Sequence, residues 1–109
     1  MNLSIIIPLY NESESLSELH KLIIDELKIS NLSYEIIFID DGSTDNSWEI
    51  IEMLAIENKK LKAYKFAKNF GKSQALNAGF DICVGDIVIT LDADLQDSPS
   101  EIIKLYNVM

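Results

Sequence analysis

Arginine is absent from these 109 residues, and cysteine and histidine occur once each. Each scarcity excludes something. A lone Cys83 permits no internal disulfide, so the chain is no disulfide scaffold and fits a reducing compartment, with Cys83 as a small buried hydrophobe. His20 falls among the stripe positions of a helical pattern and reads as an ordinary surface histidine rather than a ligand. No apolar run approaches the ~18 residues of a membrane span. Ile5-Ile6-Ile7 is too short for the apolar region of a signal peptide, and no basic segment precedes it. The chain as given is expected to be soluble. Cations are also scarce: nine lysines face 18 acidic residues, for a formal charge of −9. Such a surface repels phosphate backbones and argues against a nucleic-acid partner. Any phosphate ligand has to be met through a metal or a few placed cations.

What the chain does have is alternation. Leu3-Ser4-Ile5-Ile6-Ile7 reads as a strand buried on both faces and stopped by Pro8. Ser15-Leu16-Ser17-Glu18 has capping-box spacing, and Leu16, Leu19, Ile23 and Leu27 place an amphipathic helix to about residue 29. Tyr34 to Ile39 is a second strand, and a helix from about residue 45 carries Trp48, Ile51 and Leu54 on one stripe. Leu61 to Phe66 reads as an edge strand because of Lys62 and Lys65. A helix from about Ser73 to Cys83 is closed by Gly85, and Ile87 to Leu91 is the fourth strand. Ser98-Pro99-Ser100-Glu101 caps a last helix carrying Ile102, Ile103 and Tyr106. The order βαβαβαβα predicts an α/β fold with a parallel sheet and helices on both faces. Polar clusters follow every strand, so four loops converge on one sheet edge, where such folds bind ligands.

The chemistry concentrates in Leu91-Asp92-Ala93-Asp94-Leu95-Gln96-Asp97. If the strand continues, Asp92 and Asp94 share a side, and two neighbouring anions call for a shared cation or proton. Hard oxygen donors with the Gln96 amide suit Mg²⁺ or Mn²⁺ better than zinc. Other motifs fail. Gly71-Lys72-Ser73 resembles the end of a P-loop, but Phe66 stands where its first glycine belongs. No Gly-x-Gly-x-x-Gly occurs, and an EF-hand loop would need glycine at Asp97 and glutamate at Ile103.

Four stretches in order resemble the family-two, GT-A-fold glycosyltransferases: Ile5-Ile6-Ile7-Pro8-Leu9-Tyr10-Asn11-Glu12, Ile39-Asp40-Asp41-Gly42-Ser43-Thr44-Asp45, Lys68-Asn69-Phe70-Gly71-Lys72 and Leu91 to Asp97. Their order and spacing are most similar to the polyprenyl-phosphate, dolichol-phosphate mannose synthase-like subgroup. The resemblance implies a Rossmann-like nucleotide-sugar-binding half. Pro8, Tyr10 and Glu12 would line the base and ribose, Asp41 would accept a hydrogen bond from them, and Asp92 would approach ribose and sugar. Asp94 with Gln96 would hold Mg²⁺ or Mn²⁺ against the diphosphate. Asp40 is expected to be a turn carboxylate capping backbone amides. The subgroup usually has arginine where Lys68 stands, so bidentate phosphate geometry is lost there.

The resemblance further implies metal-dependent sugar transfer from a UDP- or GDP-linked donor to a lipid-phosphate or glycan acceptor. Residues 1–109 are expected to be the N-terminal donor-binding part of a longer enzyme, inactive alone, with the catalytic acceptor-side residues elsewhere. Self-association through the exposed fourth-strand edge is expected, as is a cytoplasmic location, at the membrane's cytoplasmic face in a full-length protein. The alternative is a nucleotide-sugar-binding module without catalysis. A metal-dependent phosphatase is a third reading, disfavoured because its acidic pair would follow the first strand.

Overall fold

The computed structural model describes residues 3–30 and 33–93. Within them the order is β1 (Leu3–Leu9), α1 (Leu16–Ser30), β2 (Tyr34–Asp40), α2 (Ser47–Glu57), β3 (Leu61–Lys65), α3 (Lys72–Ile82) and β4 (Ile87–Thr90). The predicted last helix, with Ile102, Ile103 and Tyr106, lies outside the described residues. All pairings are parallel, in the order β3-β2-β1-β4. The βαβ alternation therefore forms the parallel sheet that the sequence predicts.

Strand periodicity divides the core. Ile5, Ile7, Ile36 and Phe38 share a cluster with Leu16, Leu19, Ile23 and Leu27 of α1 and Ile51 of α2. Ile6, Ile37 and Ile39 face the other way, against Ala75 of α3. A strand between two helical layers has no solvent face, which is why β1 reads as a continuous apolar run. All seven of its residues are buried.

Two local expectations are corrected. β1 does not stop at Pro8 but runs through it to Leu9, paired with Ile39 and Asp40 of β2. Pro8 lies on the β4 side of β1, as Ile6 does, beyond the last β1–β4 pair, Ile6↔Thr90. Its missing N–H therefore breaks no ladder; it ends one. Nor does Gly85 close α3. The helix ends at Cys83 in extended conformation, and Gly85 is not among the positive-φ glycines. A Cβ on Gly85 would stand 2.6 Å from Ser4 N, so glycine is required by close approach to β1.

A buried polar network sits at the opposite end of the sheet from the four loops. Glu35, 1% exposed, accepts from Ser4 Oγ at 2.5 Å and from Val84 N at 2.7 Å, both at Oε2. Lys62 Nζ stands 2.8 Å from Oε1. That oxygen has no aligned hydrogen bond, so the contact acts as charge pairing. Burial pushes the Glu35 carboxyl up, but the interactions with Lys62, Ser4 and Val84 outweigh it and leave the pKa below its ordinary value. A depressed carboxyl stabilises the fold above its unfolded pKa, about 4.3, and that contribution is lost as pH falls through the lower folded value. The Tm advantage of the parent over Glu35→Gln should thus be largest near neutrality and shrink below about pH 4.3. A Tm gap independent of pH would contradict it.

His20 is half-buried, its Nε2 3.2 Å from Asn58 Nδ2. Burial lowers its pKa, against the opposing pull of Glu57.

Candidate functional site

The chain steps from β1 outward to β2 and β3, then returns to place β4 on the other side of β1. β1 and β4 flank this reversal, the position at which open α/β sheets form a crevice. A cleft of about 520 Å³ occupies that position. Pro8, Tyr10, Glu12, Asp41 and Asp92 all line it. They derive from the ends of three strands and lie up to 84 residues apart in sequence, yet share one concavity. Asp94 and Gln96 lie outside the described residues.

The loops are laced by side chains that short-range pattern reading passed over. Asn11 adopts φ +53, a left-handed conformation that asparagine tolerates. Its Oδ1 accepts from Thr44 N at 2.8 Å, while its own N–H donates to Ser43 Oγ at 2.8 Å. Glu12 N donates to Ser47 Oγ at 3.0 Å. Asp45 accepts from Ser47 N and Ser13 N. Slight burial raises its pKa, but those hydrogen bonds dominate and hold it below the ordinary value. Ser15, just before α1 as predicted, directs its hydroxyl to Ala93 O at 2.6 Å and also lies 3.2 Å from Glu12 Oε2. One serine thereby ties the start of α1 to the segment after β4.

The Asp40-Asp41 pair divides less simply than expected. Asp40 is fully buried, and its Oδ1 accepts from Ser43 N at 2.8 Å, the turn-capping role predicted for it. Asp41 also carries structure. Its two oxygens accept from Phe70 N at 2.8 Å and Gly71 N at 3.0 Å. It therefore anchors the loop leading into α3 while lining the cleft. Asp41 thus shapes the cleft wall as well as lining it, because backbone N–H groups before a helix need acceptors. Gly42 sits beneath the same loop with φ +76.

In the sequence Lys72 has no assigned role beyond its place in the Lys68–Lys72 stretch and in the incomplete P-loop pattern. At the first position of α3 it reaches Asp92 Oδ1 at 2.6 Å. Both side chains are more than a third exposed, so the pair contributes at most about 1 kcal/mol to stability and matters for position. Lys72 is the cation lining the cleft among the described residues. The one signal for it was the acidic balance, which requires a placed cation wherever an anion binds. Lys68 lies instead over the Phe70 ring, 5.3 Å from its centroid.

No group of three His, Cys, Asp or Glu among the described residues is placed to hold a metal. Asp92 supplies one hard oxygen donor at the cleft, of the type Mg²⁺ and Mn²⁺ accept.

Residues 4–109 match the profile described as Glycosyl transferase family 2. Over 103 residues the chain is 48% identical to the undecaprenyl-phosphate 4-deoxy-4-formamido-L-arabinose transferase of Pseudomonas fluorescens (strain SBW25), covering 94% of this chain and 30% of that relative. The chain thus spans about a third of the length of the curated relative it matches. Among solved structures, mannosyltransferase PcManGT from Pyrobaculum calidifontis, in complex with GDP-Man and Mn²⁺, superposes with TM-score 0.76 at 27% identity, over 85% of this chain and 27% of that one. S. aureus TarS 1-349 in complex with UDP-GlcNAc superposes with TM-score 0.70 at 27% identity, over 86% and 27%.

Proposed function

The chain belongs to glycosyl transferase family 2, and on that premise we propose that it forms the donor-binding part of an enzyme that moves a sugar from a nucleotide-diphosphate sugar to a polyprenyl phosphate. The observation that carries this reading is the cleft at the strand reversal, with Pro8, Tyr10, Glu12, Asp41 and Asp92 around it. Tyr10, 43% exposed, offers an aromatic face for a base. Glu12 and Asp41 offer carboxylate acceptors for base or ribose donors. Asp92 faces the sugar side, and Lys72 stands beside it to meet phosphate charge.

Asp94 with Gln96, two and four residues after Asp92 in the sequence, would hold a divalent cation. When bound, that ion would act as a Lewis acid stabilising charge on the departing diphosphate. A polyprenyl-phosphate acceptor is already anionic and needs little general-base help, whereas a sugar hydroxyl would need a base. The names of the relatives favour the former.

Calorimetric titration with UDP and GDP, each with and without Mn²⁺, tests the reading. One nucleotide should bind, more tightly with metal, and Asp94→Ala should remove the metal-dependent gain. No binding of either nucleotide would refute the proposal, and an undiminished gain in Asp94→Ala would refute the metal assignment.

A further inference from the structure

Ser15 stands at the N-cap of α1, where its carbonyl accepts a helical hydrogen bond from Leu19 N at 2.9 Å. A serine there normally turns its oxygen onto an amide of the first helical turn, and Glu18 three residues on completes the capping-box pattern. The hydroxyl is used otherwise. Among the described residues its contacts are Ala93 O at 2.6 Å, Glu12 O at 3.2 Å and Glu12 Oε2 at 3.2 Å. All three are acceptors, and a hydroxyl has one proton to give. The shortest contact takes it, across 78 residues of sequence.

The place where Ser15 takes hold is the place where the sheet lets go. The β1–β4 ladder has its last pair at Ile6↔Thr90, and Leu91 N still donates to Ile6 O at 3.1 Å. Past Leu91, among the described residues, the bond from Ser15 is the one that holds the backbone. Ala93 is buried, so its carbonyl needs a protein donor. It lies in sequence between Asp92, which lines the cleft, and Asp94. On its other side Ser15 donates its N–H to Glu12 O at 3.1 Å, and Glu12 lines the same cleft. One residue therefore joins the loop after β1 to the segment after β4.

We infer that Ser15 is a positioning residue that couples the nucleoside end of the cleft to its metal and sugar end. The inference rests on the donor-binding reading proposed above. A ligand group that donates to Glu12 satisfies that carboxylate and leaves the Ser15 proton wholly to Ala93 O. The backbone at Ala93 is then fixed before a cation arrives, which lowers the ordering cost of binding one at the neighbouring carboxylates. Ser15 does not itself line the cleft; it acts through Glu12 and Ala93.

Hydrogen exchange of the nucleotide-free chain, read by mass spectrometry, tests the tie by itself. Ser15→Ala should speed exchange in the segment after Leu91 about fivefold, the loss of one hydrogen bond. Ser15→Thr keeps the hydroxyl and should restore it. Exchange unchanged there, or faster only in the first turn of α1, would make Ser15 an ordinary helix cap and overturn the inference. Titration with UDP and GDP, each with and without Mn²⁺, tests the coupling. Ser15→Ala should bind metal-free nucleotide within about twofold of the parent and lose about fivefold of the Mn²⁺-dependent gain, with Ser15→Thr close to the parent. A gain in Ser15→Ala as large as the parent's overturns the coupling. If neither nucleotide bound the parent, the donor-binding reading would fail, while exchange after Leu91 would still decide what Ser15 holds.

Discussion

Gly42→Ala is expected to lose roughly 2–5 kcal/mol of stability, combining backbone strain with overpacking. Gly42 has φ +76, and a Cβ there would stand 2.4 Å from Lys68 C and 2.6 Å from Asn69 N. Both obstacles are backbone atoms, so no side chain can rotate away. The 68–69 loop would have to lift. Phe70 and Gly71, whose N–H groups bind Asp41, follow directly in the chain, so the damage should spread to the cleft. For a domain of this size each kcal/mol corresponds to about 4–8 °C in Tm, so Tm should fall by roughly 10 °C or more. Gly71→Ala is the control. It has φ +104 but nothing within 4 Å of a Cβ, so it incurs strain without collision and should lose less. Urea unfolding of the three proteins decides the point. A Gly42→Ala protein as stable as the parent would mean the two loops do not approach as closely as described.

The second large effect is expected at Asp41. Removing its carboxylate leaves the N–H groups of Phe70 and Gly71 without their acceptors. Hydrogen bonds to a charged group are worth about 1.5–3 kcal/mol each. Because the loop is partly open to water, Asp41→Ala should lose roughly 2–4 kcal/mol in total. Asp41→Asn keeps one acceptor oxygen but turns an amide N–H toward the other donor, so it should fall between parent and alanine variant. Nucleotide affinity should drop at least tenfold in both, about 1.4 kcal/mol or more. Thermal melts paired with calorimetry separate the two roles. If Asp41→Ala lost affinity with an unchanged Tm, the two backbone hydrogen bonds would carry no stability and Asp41 would act on ligand alone.

Much of the architecture was legible before folding. The apolar runs at Leu3–Ile7 and Ile36–Ile39 and the helical stripe Leu16-Leu19-Ile23-Leu27 are local patterns with the periods of strand and helix. Alternation of the two imposes a parallel sheet, and a parallel sheet sends every strand-to-helix loop to one edge. That is why the polar clusters after the strands could be placed at one edge from sequence; the resemblance to the glycosyltransferases named Pro8, Tyr10, Glu12, Asp41 and Asp92 among them, and these line one cleft.

The tertiary structure decided what depends on partners distant in sequence. Strand order, and with it the reversal between β1 and β4, follows from which faces bury best together, which no single window of sequence contains. The same holds for Lys72 against Asp92, Ser15 against Ala93, Asp41 against Phe70 and Gly71, and Gly85 against Ser4, separated by between 20 and 81 residues. A serine, an aspartate or a glycine has several local uses of similar energy: a cap, a turn, a helix end. Which use prevails is set by the donor, acceptor or backbone that the rest of the fold brings within 3 Å or so. Local periodicity thus determined the elements and the edge where the cleft lies, and the packing of one loop on another determined the shape of that cleft and the place of its cation.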